Sequence, residues 1–258
     1  MLLFNVRRRP VASGLGTAAE NQLVLIDYGG GAIMTPIKIT DRNVMFTEPM
    51  GKDYDLNMGL ILGEKHNYVI DTGLGSGSVA PVLEYIRGDA KPVVVVNTHF
   101  HWDHIWGNWV FENSLMISHT ICRELEEKYW DEALAEFAES IDGEVRKCLP
   151  NMVFEGSLHF PCDGIHIFHS PGHSADCISI YDEVDKVLYA GDNIGDTEIN
   201  IVPWIDTDPE TFKKLIETYK QYDFDCCISG HNKPQTKSVL ARMESALADS
   251  WEKQKEFM

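Results

Sequence analysis

Apolar and polar positions alternate in short blocks from about residue 36 onward, and these blocks predict strands and helices. Residues 57–73 predict a hairpin, because two apolar runs flank the polar turn GEKHN. Residues 78–88 carry apolar side chains at helical spacing, with Ser76 or Ser78 as the predicted N-cap and Gly88 as the stop. The run PVVVV at 92–96 predicts a strand that is buried on both faces.

The second half of the chain repeats this alternation. Strands are predicted at 164–170, 177–182, 186–192 and 225–230, and helices at 208–222 and 237–256. Between the halves, residues 120–149 are rich in Glu, Ala, Leu and Lys and predict one or two surface helices whose charges form a solvated face. The order of elements predicts an α/β fold in which two βα layers sandwich their sheets.

No linker separates the two halves, so residues 36–258 are predicted to form a single domain. Residues 1–35 are predicted to be an N-terminal extension, either an edge hairpin or a partly disordered segment, because their glycine-rich stretches surround one strand-like run without a clear partner.

Charge narrows the partners that this chain can have. Lys and Arg number 22 against 40 Asp and Glu, and the net charge of −18 opposes approach to nucleic acids and anionic membranes. No apolar stretch reaches the roughly 20 residues that span a bilayer. We therefore expect a cytoplasmic protein with a small-molecule substrate and no nucleic-acid or membrane partner, and leave a homo-oligomer open. Six cysteines without CxxC spacing predict reduced thiols.

The segment NTHFHWDHIWGN, residues 97–108, contains four candidate metal ligands. It follows the predicted buried strand, so His99 and His101, two positions apart, are expected to point to one side. Asp103 and His104 are expected to point to another side. With 10 histidines in 258 residues, a chance match to HxHxDH is on the order of 1 in 1,000. Imidazole and carboxylate groups suit zinc, iron, manganese or nickel, so two adjacent metal positions are predicted. The candidate ligands in this segment are His99, His101, Asp103 and His104.

Three further candidate ligands follow predicted strands elsewhere in the chain. His173 lies in SPGHS, Asp192 in LYAGD and His231 in CISGH. Each comes directly after a glycine, which allows the backbone to turn sharply and to approach a metal cluster closely. The remaining histidines are expected to be ordinary surface or hydrogen-bonded residues.

These motifs, together with DTG at 71–73, resemble the metallo-β-lactamase superfamily of αββα-sandwich hydrolases over about residues 36–235. The resemblance implies that His99, His101 and His173 hold one metal ion. It implies a second ion on Asp103, His104 and His231. Asp192 would bridge both ions, and Asp71 would support the ligands by hydrogen bonding.

Departures from the subfamilies bear on the substrate. The commonest true β-lactamases of the family have a cysteine where this chain has Asp192, which disfavours antibiotic hydrolysis. Quorum-quenching lactonases have a tyrosine where this chain has Gly195, and glyoxalase II proteins carry basic C-terminal residues that the tail SWEKQKEF does not match.

The resemblance implies a hydrolase with two divalent ions, most simply zinc, with iron or manganese as alternatives. A hydroxide that bridges the metals would attack a small ester, lactone or thioester. Asp192 would hold the two metal ions together, and Asp103 would additionally hold or shuttle the proton. Two alternatives stay open: a mononuclear iron enzyme similar to persulfide dioxygenases, and a non-catalytic metal-binding module. The tryptophans near these motifs predict an apolar wall for the substrate: Trp102, Trp106, Trp109 and Trp204.

Overall fold

The computed structural model describes residues 35–50 and 54–256. The predicted N-terminal extension therefore lies outside the described residues, apart from Thr35, which begins the first strand. The strands are β1 Thr35–Lys38, β2 Asn43–Pro49, β3 Asp55–Leu62, β4 Asn67–Ile70, β5 Val93–Val96, β6 Leu115–His119, β7 Met152–Phe154, β8 Ser157–Phe160, β9 Ile165–His169, β10 Ile178–Asp182, β11 Val187–Gly191 and β12 Cys226–Ser229.

The helices lie between these strands and after them. The α-helices are α1 Ser76–Tyr85, α2 Trp102–Ile105, α3 Thr120–Glu136, α4 Pro209–Lys220 and α5 Val239–Lys255. Two short 3₁₀ helices, Asn108–Phe111 and Ala138–Ser140, follow α2 and α3.

The strands form two mixed sheets. Strands β1 to β7 lie side by side in chain order, antiparallel from β1 to β4 and parallel from β4 to β7. The second sheet has the order β12-β11-β10-β9-β8, and its single parallel pair is β11 with β12. Since carboxyl ends of parallel strands share one sheet edge, the segments after β4, β5, β11 and β12 are brought toward common edges.

Three apolar layers hold the sheets and helices together. Side chains from both sheets, such as Ile70, Val96 and Ile180, form the core between the sheets. Val79 and Val82 of α1 cover the outer face of the first sheet, while α4 and α5 cover the outer face of the second. The predicted four-layer αββα sandwich is confirmed.

Two local predictions are wrong. Helix α1 is capped by Gly75 rather than by a serine, and it ends at Tyr85, before Gly88. The Oγ of Ser76 instead accepts a hydrogen bond from the backbone N–H of Glu144, 2.9 Å away. The charges of α3 do not all form a solvated face, because Glu126 is only 1% exposed.

Other global expectations can be checked against the described residues. Among them, no helix is long and apolar enough to cross a membrane. The six cysteines are free; three of them are buried and Cys162 is exposed.

Candidate metal centre

The candidate ligands lie where the two sheets meet. The backbone N–H of Asn57 in β3 donates to the carbonyl of Gly230 at 2.7 Å, and the N–H of Ile178 in β10 donates to the carbonyl of Thr98 at 2.8 Å. These bonds join strand ends from opposite sheets, so residues far apart in sequence come together over a rigid frame.

The first group of side chains contains three imidazoles and a carboxylate. His101 Nδ1 lies 3.0 Å from both His99 Nε2 and His173 Nε2. Two ligands held at 2.0–2.1 Å by a tetrahedral zinc ion lie roughly 3.3 Å apart, so the spacing fits one metal ion. The potential ligand atoms of this group all lie within 4.8 Å of one another, and its members are His99, His101, His173 and Asp192.

The second group contains Asp103, His104 and His231, whose ligand atoms also lie within 4.8 Å of one another. Asp103 Oδ2 is 3.3 Å from His231 Nε2 and 3.8 Å from His104 Nε2. The sequence motif therefore divides between the two groups, with His99 and His101 in one and Asp103 and His104 in the other.

Asp192 lies between the groups. Its Oδ1 is 3.3 Å from His104 Nε2, while its Oδ2 is 3.6 Å from His99 Nε2 and 3.2 Å from His231 Nε2. Both His104 Nε2 and Asp192 Oδ1 are buried without a hydrogen-bond partner among the described residues. Buried polar atoms are rarely left unpaired, so these atoms suit a cation between them.

The second nitrogen of four of the histidines is held by a hydrogen bond. His173 Nδ1 lies 2.7 Å from the Trp204 carbonyl, and His231 Nδ1 lies 2.8 Å from the Asp55 carbonyl. His99 Nδ1 lies 3.1 Å from the Thr98 hydroxyl. Each contact leaves Nε2 directed at the centre, which is the arrangement that metal-binding imidazoles use.

Asp71 contacts the imidazole of His104, which is the fourth of these histidines, and Thr98 in the turn after β5. Its Oδ2 lies 2.9 Å from His104 Nδ1 and accepts from the Thr98 hydroxyl at 2.7 Å, while its Oδ1 accepts from the Thr98 backbone N–H at 2.7 Å. Asp71 has a φ of 59°, a left-handed conformation that directs its carboxylate toward these donors. The structure thus places Asp71 directly behind a candidate ligand.

Gly230 lets the chain pass against the centre. A Cβ atom at this position would lie 2.1 Å from Asp192 Oδ1 and 2.7 Å from His104 Cε1. Gly191 has a φ of 52°, in the left-handed region that favours glycine. Gly172 packs against Leu215 and Asn193 instead, so its role is in packing and not at the centre.

The electrostatic environment differs between the groups. Burial and the neighbouring His104 hold the pKa of His99 well below its usual range, and burial with His173 lowers the pKa of His101 to about 4. Burial alone would lower the pKa of His231, but Asp192 and Asp103 raise it well above its usual value. His99 and His101 therefore present neutral imidazoles, whereas the carboxylates around His231 favour positive charge.

A cavity of about 170 Å³ adjoins the centre at His101. We call it the aromatic cavity, and its lining consists of Phe100, His101, Trp102, Ile105, Trp106, Glu126, Tyr129, Trp130, Glu132, Ala133, Glu136 and Phe137. Of the four tryptophans expected near a substrate, Trp102 and Trp106 line it. The Trp102 ring stacks on Phe137, with 4.6 Å between ring centroids.

The other two tryptophans lie elsewhere. The indole N–H of Trp109 donates to the Glu144 carbonyl at 2.8 Å, and the Arg146 guanidinium lies over its ring. Trp204 approaches the centre through its backbone carbonyl, while its side chain is 43% exposed. Neither Trp109 nor Trp204 lines the aromatic cavity, although the Trp204 carbonyl contacts His173.

The sequence interpretation missed two contributors. The Tyr54 ring makes an edge contact with the His231 ring, with 5.6 Å between their centroids. Glu126 was assigned to a solvated face, yet it lies four residues after Cys122 and four before Trp130, the other two buried residues of α3. That helical spacing was the available signal for its burial.

Comparison with known proteins gives a family and a fold. The family model described as the metallo-beta-lactamase superfamily matches residues 52–231. The chain is similar in structure to a metallo-beta-lactamase from Pontibacter korlensis, with a TM-score of 0.67 and 21% identity over 83% of this chain and 99% of that one.

Two curated relatives are acyl-coenzyme A thioesterases named MBLAC2. The Homo sapiens protein is 25% identical over 174 residues, which cover 58% of this chain and 61% of the relative. The Gallus gallus protein is 27% identical over 176 residues, which cover 58% of this chain and 60% of the relative. The chain thus matches about three-fifths of the length of these relatives.

Proposed function

The chain belongs to the metallo-beta-lactamase superfamily, and from that premise we propose that it is a dinuclear metal hydrolase of a small acyl compound. Thioesters are the first substrate class to test, because the similar curated proteins are acyl-coenzyme A thioesterases. Esters and lactones follow, because the same attack on a carbonyl carbon cleaves them.

One observation carries the proposal: two groups of ligand-type side chains meet at Asp192. His99, His101 and His173 would hold one metal ion, and Asp103, His104 and His231 the other. Asp192 faces both groups through its two oxygens. The donors are nitrogen and oxygen atoms, which suit zinc.

Two bound divalent ions would lower the pKa of water to near neutral and polarise the acyl carbonyl. The chain's own residues supply orientation and proton handling. Asp71, Thr98 and the Trp204 carbonyl fix the imidazoles, so little rearrangement is needed when substrate binds. Asp103 is 8% exposed, and we propose that its carboxylate also receives the proton and passes it to the leaving group.

The second group of ligands weighs against the iron alternative. A mononuclear persulfide dioxygenase-like enzyme would use the first group and would not need Asp103, His104 and His231 to converge. A non-catalytic module is less well supported too, since structural zinc sites are closed by four ligands, whereas a cavity adjoins His101 here.

Metal analysis combined with a substrate panel tests the proposal. We expect close to two equivalents of zinc and hydrolysis of thioesters, esters or lactones by the purified protein. His104→Ala should reduce the metal content to about one equivalent, whereas His159→Ala, which removes an exposed imidazole paired with Glu183, should not. One iron per chain and oxygen consumption with a persulfide would replace the proposal with the iron alternative.

A further inference from the structure

Glu126 is a buried acid that no hydrogen bond in the described structure accounts for. Its side chain is 1% exposed, and neither carboxyl oxygen has a hydrogen-bond partner among the described residues. Burying a carboxyl without a close hydrogen-bond partner destabilises a fold, so its presence suggests a ligand or a functional role. It lines the aromatic cavity, next to the candidate metal centre.

The basic and amide groups near Glu126 are committed elsewhere. Arg123 donates to the Pro150 carbonyl, and Lys147 donates to the Glu127 carbonyl at 3.0 Å. The Asn108 amide donates to Asn97 and to the Cys148 carbonyl. Burial raises the pKa of Glu126 to about 8, although Arg123, Asn108 and Lys147 act in the opposite direction.

The remaining lining of the aromatic cavity suits a positive charge. Six of its side chains are aromatic, and it contains two further carboxylates, Glu132 and Glu136, but no Lys or Arg among the described residues. Aromatic faces attract ammonium groups through the ring quadrupole. The two exposed glutamates add negative potential, which repels anions and attracts cations.

We propose that the aromatic cavity binds the ammonium group of an amine-bearing substrate, with Glu126 as the counter-ion. Its volume of about 170 Å³ compares with the roughly 150 Å³ of an apolar cavity that takes benzene, so a ring or a short chain fits. This inference rests on the proposed function, since His101 is shared by the aromatic cavity and the metal centre. The acyl compound would carry its amine a few bonds from the carbonyl.

Binding can be measured without hydrolysis. Trp102, Trp106 and Trp130 line the aromatic cavity, so a bound ligand should change tryptophan fluorescence. At about pH 8.5, above the Glu126 pKa of about 8, benzylammonium should bind to the metal-loaded protein about tenfold more tightly than neutral benzyl alcohol, and benzoate should bind most weakly. Glu126→Gln should remove the preference for the amine. Glu127→Gln, which removes the same charge from an exposed position one residue later, should preserve it.

Equal binding of benzylammonium and benzyl alcohol by the wild-type protein would overturn the proposal, and this comparison needs no variant. So would an amine preference that survives Glu126→Gln, since the amine would then bind elsewhere. If Glu126→Gln does not fold, Ala133→Phe provides a second variant that fills the aromatic cavity. It should abolish the fluorescence response to benzylammonium, and an unchanged response would overturn the proposal.

Kinetics separate this inference from the proposed function. The 4-nitrophenyl esters of 6-aminohexanoate and heptanoate differ by an ammonium in place of a methyl group. At about pH 8.5, where Glu126 is mostly ionised, the amino ester should have a KM about tenfold lower at a similar kcat, and Glu126→Gln should equalise the two KM values. Hydrolysis of both esters with equal KM would overturn the inference and leave the proposed function standing. Amine binding without hydrolysis of any acyl substrate would support the aromatic cavity and overturn the proposed function.

Discussion

The candidate metal centre and the aromatic cavity share His101, and both contain buried polar atoms without a hydrogen-bond partner among the described residues. They differ in how the protein holds the side chains that carry those atoms. In the metal centre, Asp71, Thr98 and backbone carbonyls hold the outward nitrogens of His104, His99, His173 and His231. In the aromatic cavity, Glu126 has no hydrogen-bond partner among the described residues. The side chains of the centre are thus fixed by the protein itself, whereas the aromatic cavity contains a buried carboxyl that the proposed ammonium ligand would pair with.

Removing the charge of Asp192 should have the largest effect, because this carboxylate connects both halves of the centre. Asp192→Asn keeps the shape but weakens both metal positions. We expect at least about a 100-fold loss of kcat/KM, a lower metal content and a pH profile displaced upward. Asp223→Asn is the control, since that exposed carboxylate pairs only with Lys186 in the described ion pairs. Unchanged hydrolysis and metal content in Asp192→Asn would remove Asp192 from the mechanism.

Asp71 tests whether organisation of the centre depends on its supporting hydrogen bonds. Asp71→Ala leaves His104 Nδ1 and the Thr98 N–H without their acceptor. We expect a loss of about 10- to 100-fold in metal affinity or activity. Circular dichroism and chelator titration would separate a weakened site from an unfolded chain. A folded variant with wild-type metal affinity would show that Asp71 only stabilises the turn.

The buried carboxyl of the aromatic cavity, Glu126, can be tested through the pH dependence of the free energy of unfolding. Its pKa is about 8 in the folded chain against an ordinary value of 4.5. Between these values the folded chain holds a proton that the unfolded chain has released, so the free energy of unfolding falls as pH rises through this window. The loss is on the order of 2 to 4 kcal/mol. Glu126→Gln cannot titrate and should lack this component.

Thermal unfolding at pH 5 and pH 9 measures the effect. The wild-type Tm should fall by several degrees more than that of Glu126→Gln between these pH values. Other titrating groups, such as Glu48, are common to both proteins and cancel in the difference. An identical pH dependence for the two proteins would mean that Glu126 ionises normally.

The same comparison explains what the sequence could predict. The candidate ligands follow strands β5, β11 and β12 or lie in the turn before β10. In the sequence, such strand ends are visible as apolar runs that stop at a polar residue. Glu126 was not visible in this way, because charge on a helix normally marks the solvent face. The only local signal for its burial is the four-residue spacing that places Glu126 on the same helix face as Cys122 and Trp130. The Nδ1 atoms of His173 and His231 contact backbone carbonyls. Every residue has a backbone carbonyl, so the sequence cannot identify these partners.

Substitution of Trp204 should have the smallest effect on activity. It tests whether Trp204 acts at the centre through its backbone carbonyl or through its side chain. Its carbonyl holds His173, while its indole is largely solvated and donates to Asp206 at 2.8 Å. Trp204→Ala retains the carbonyl, so metal content should be unchanged and kcat/KM should change by less than about threefold, as for other exposed side chains. Trp102→Ala is the matched variant, because it removes the Trp102 ring that stacks on Phe137 in the aromatic cavity. It should raise the KM of the amino ester more than Trp204→Ala does. A larger effect from Trp204→Ala on that KM would indicate that the substrate contacts the Trp204 indole instead of the aromatic cavity.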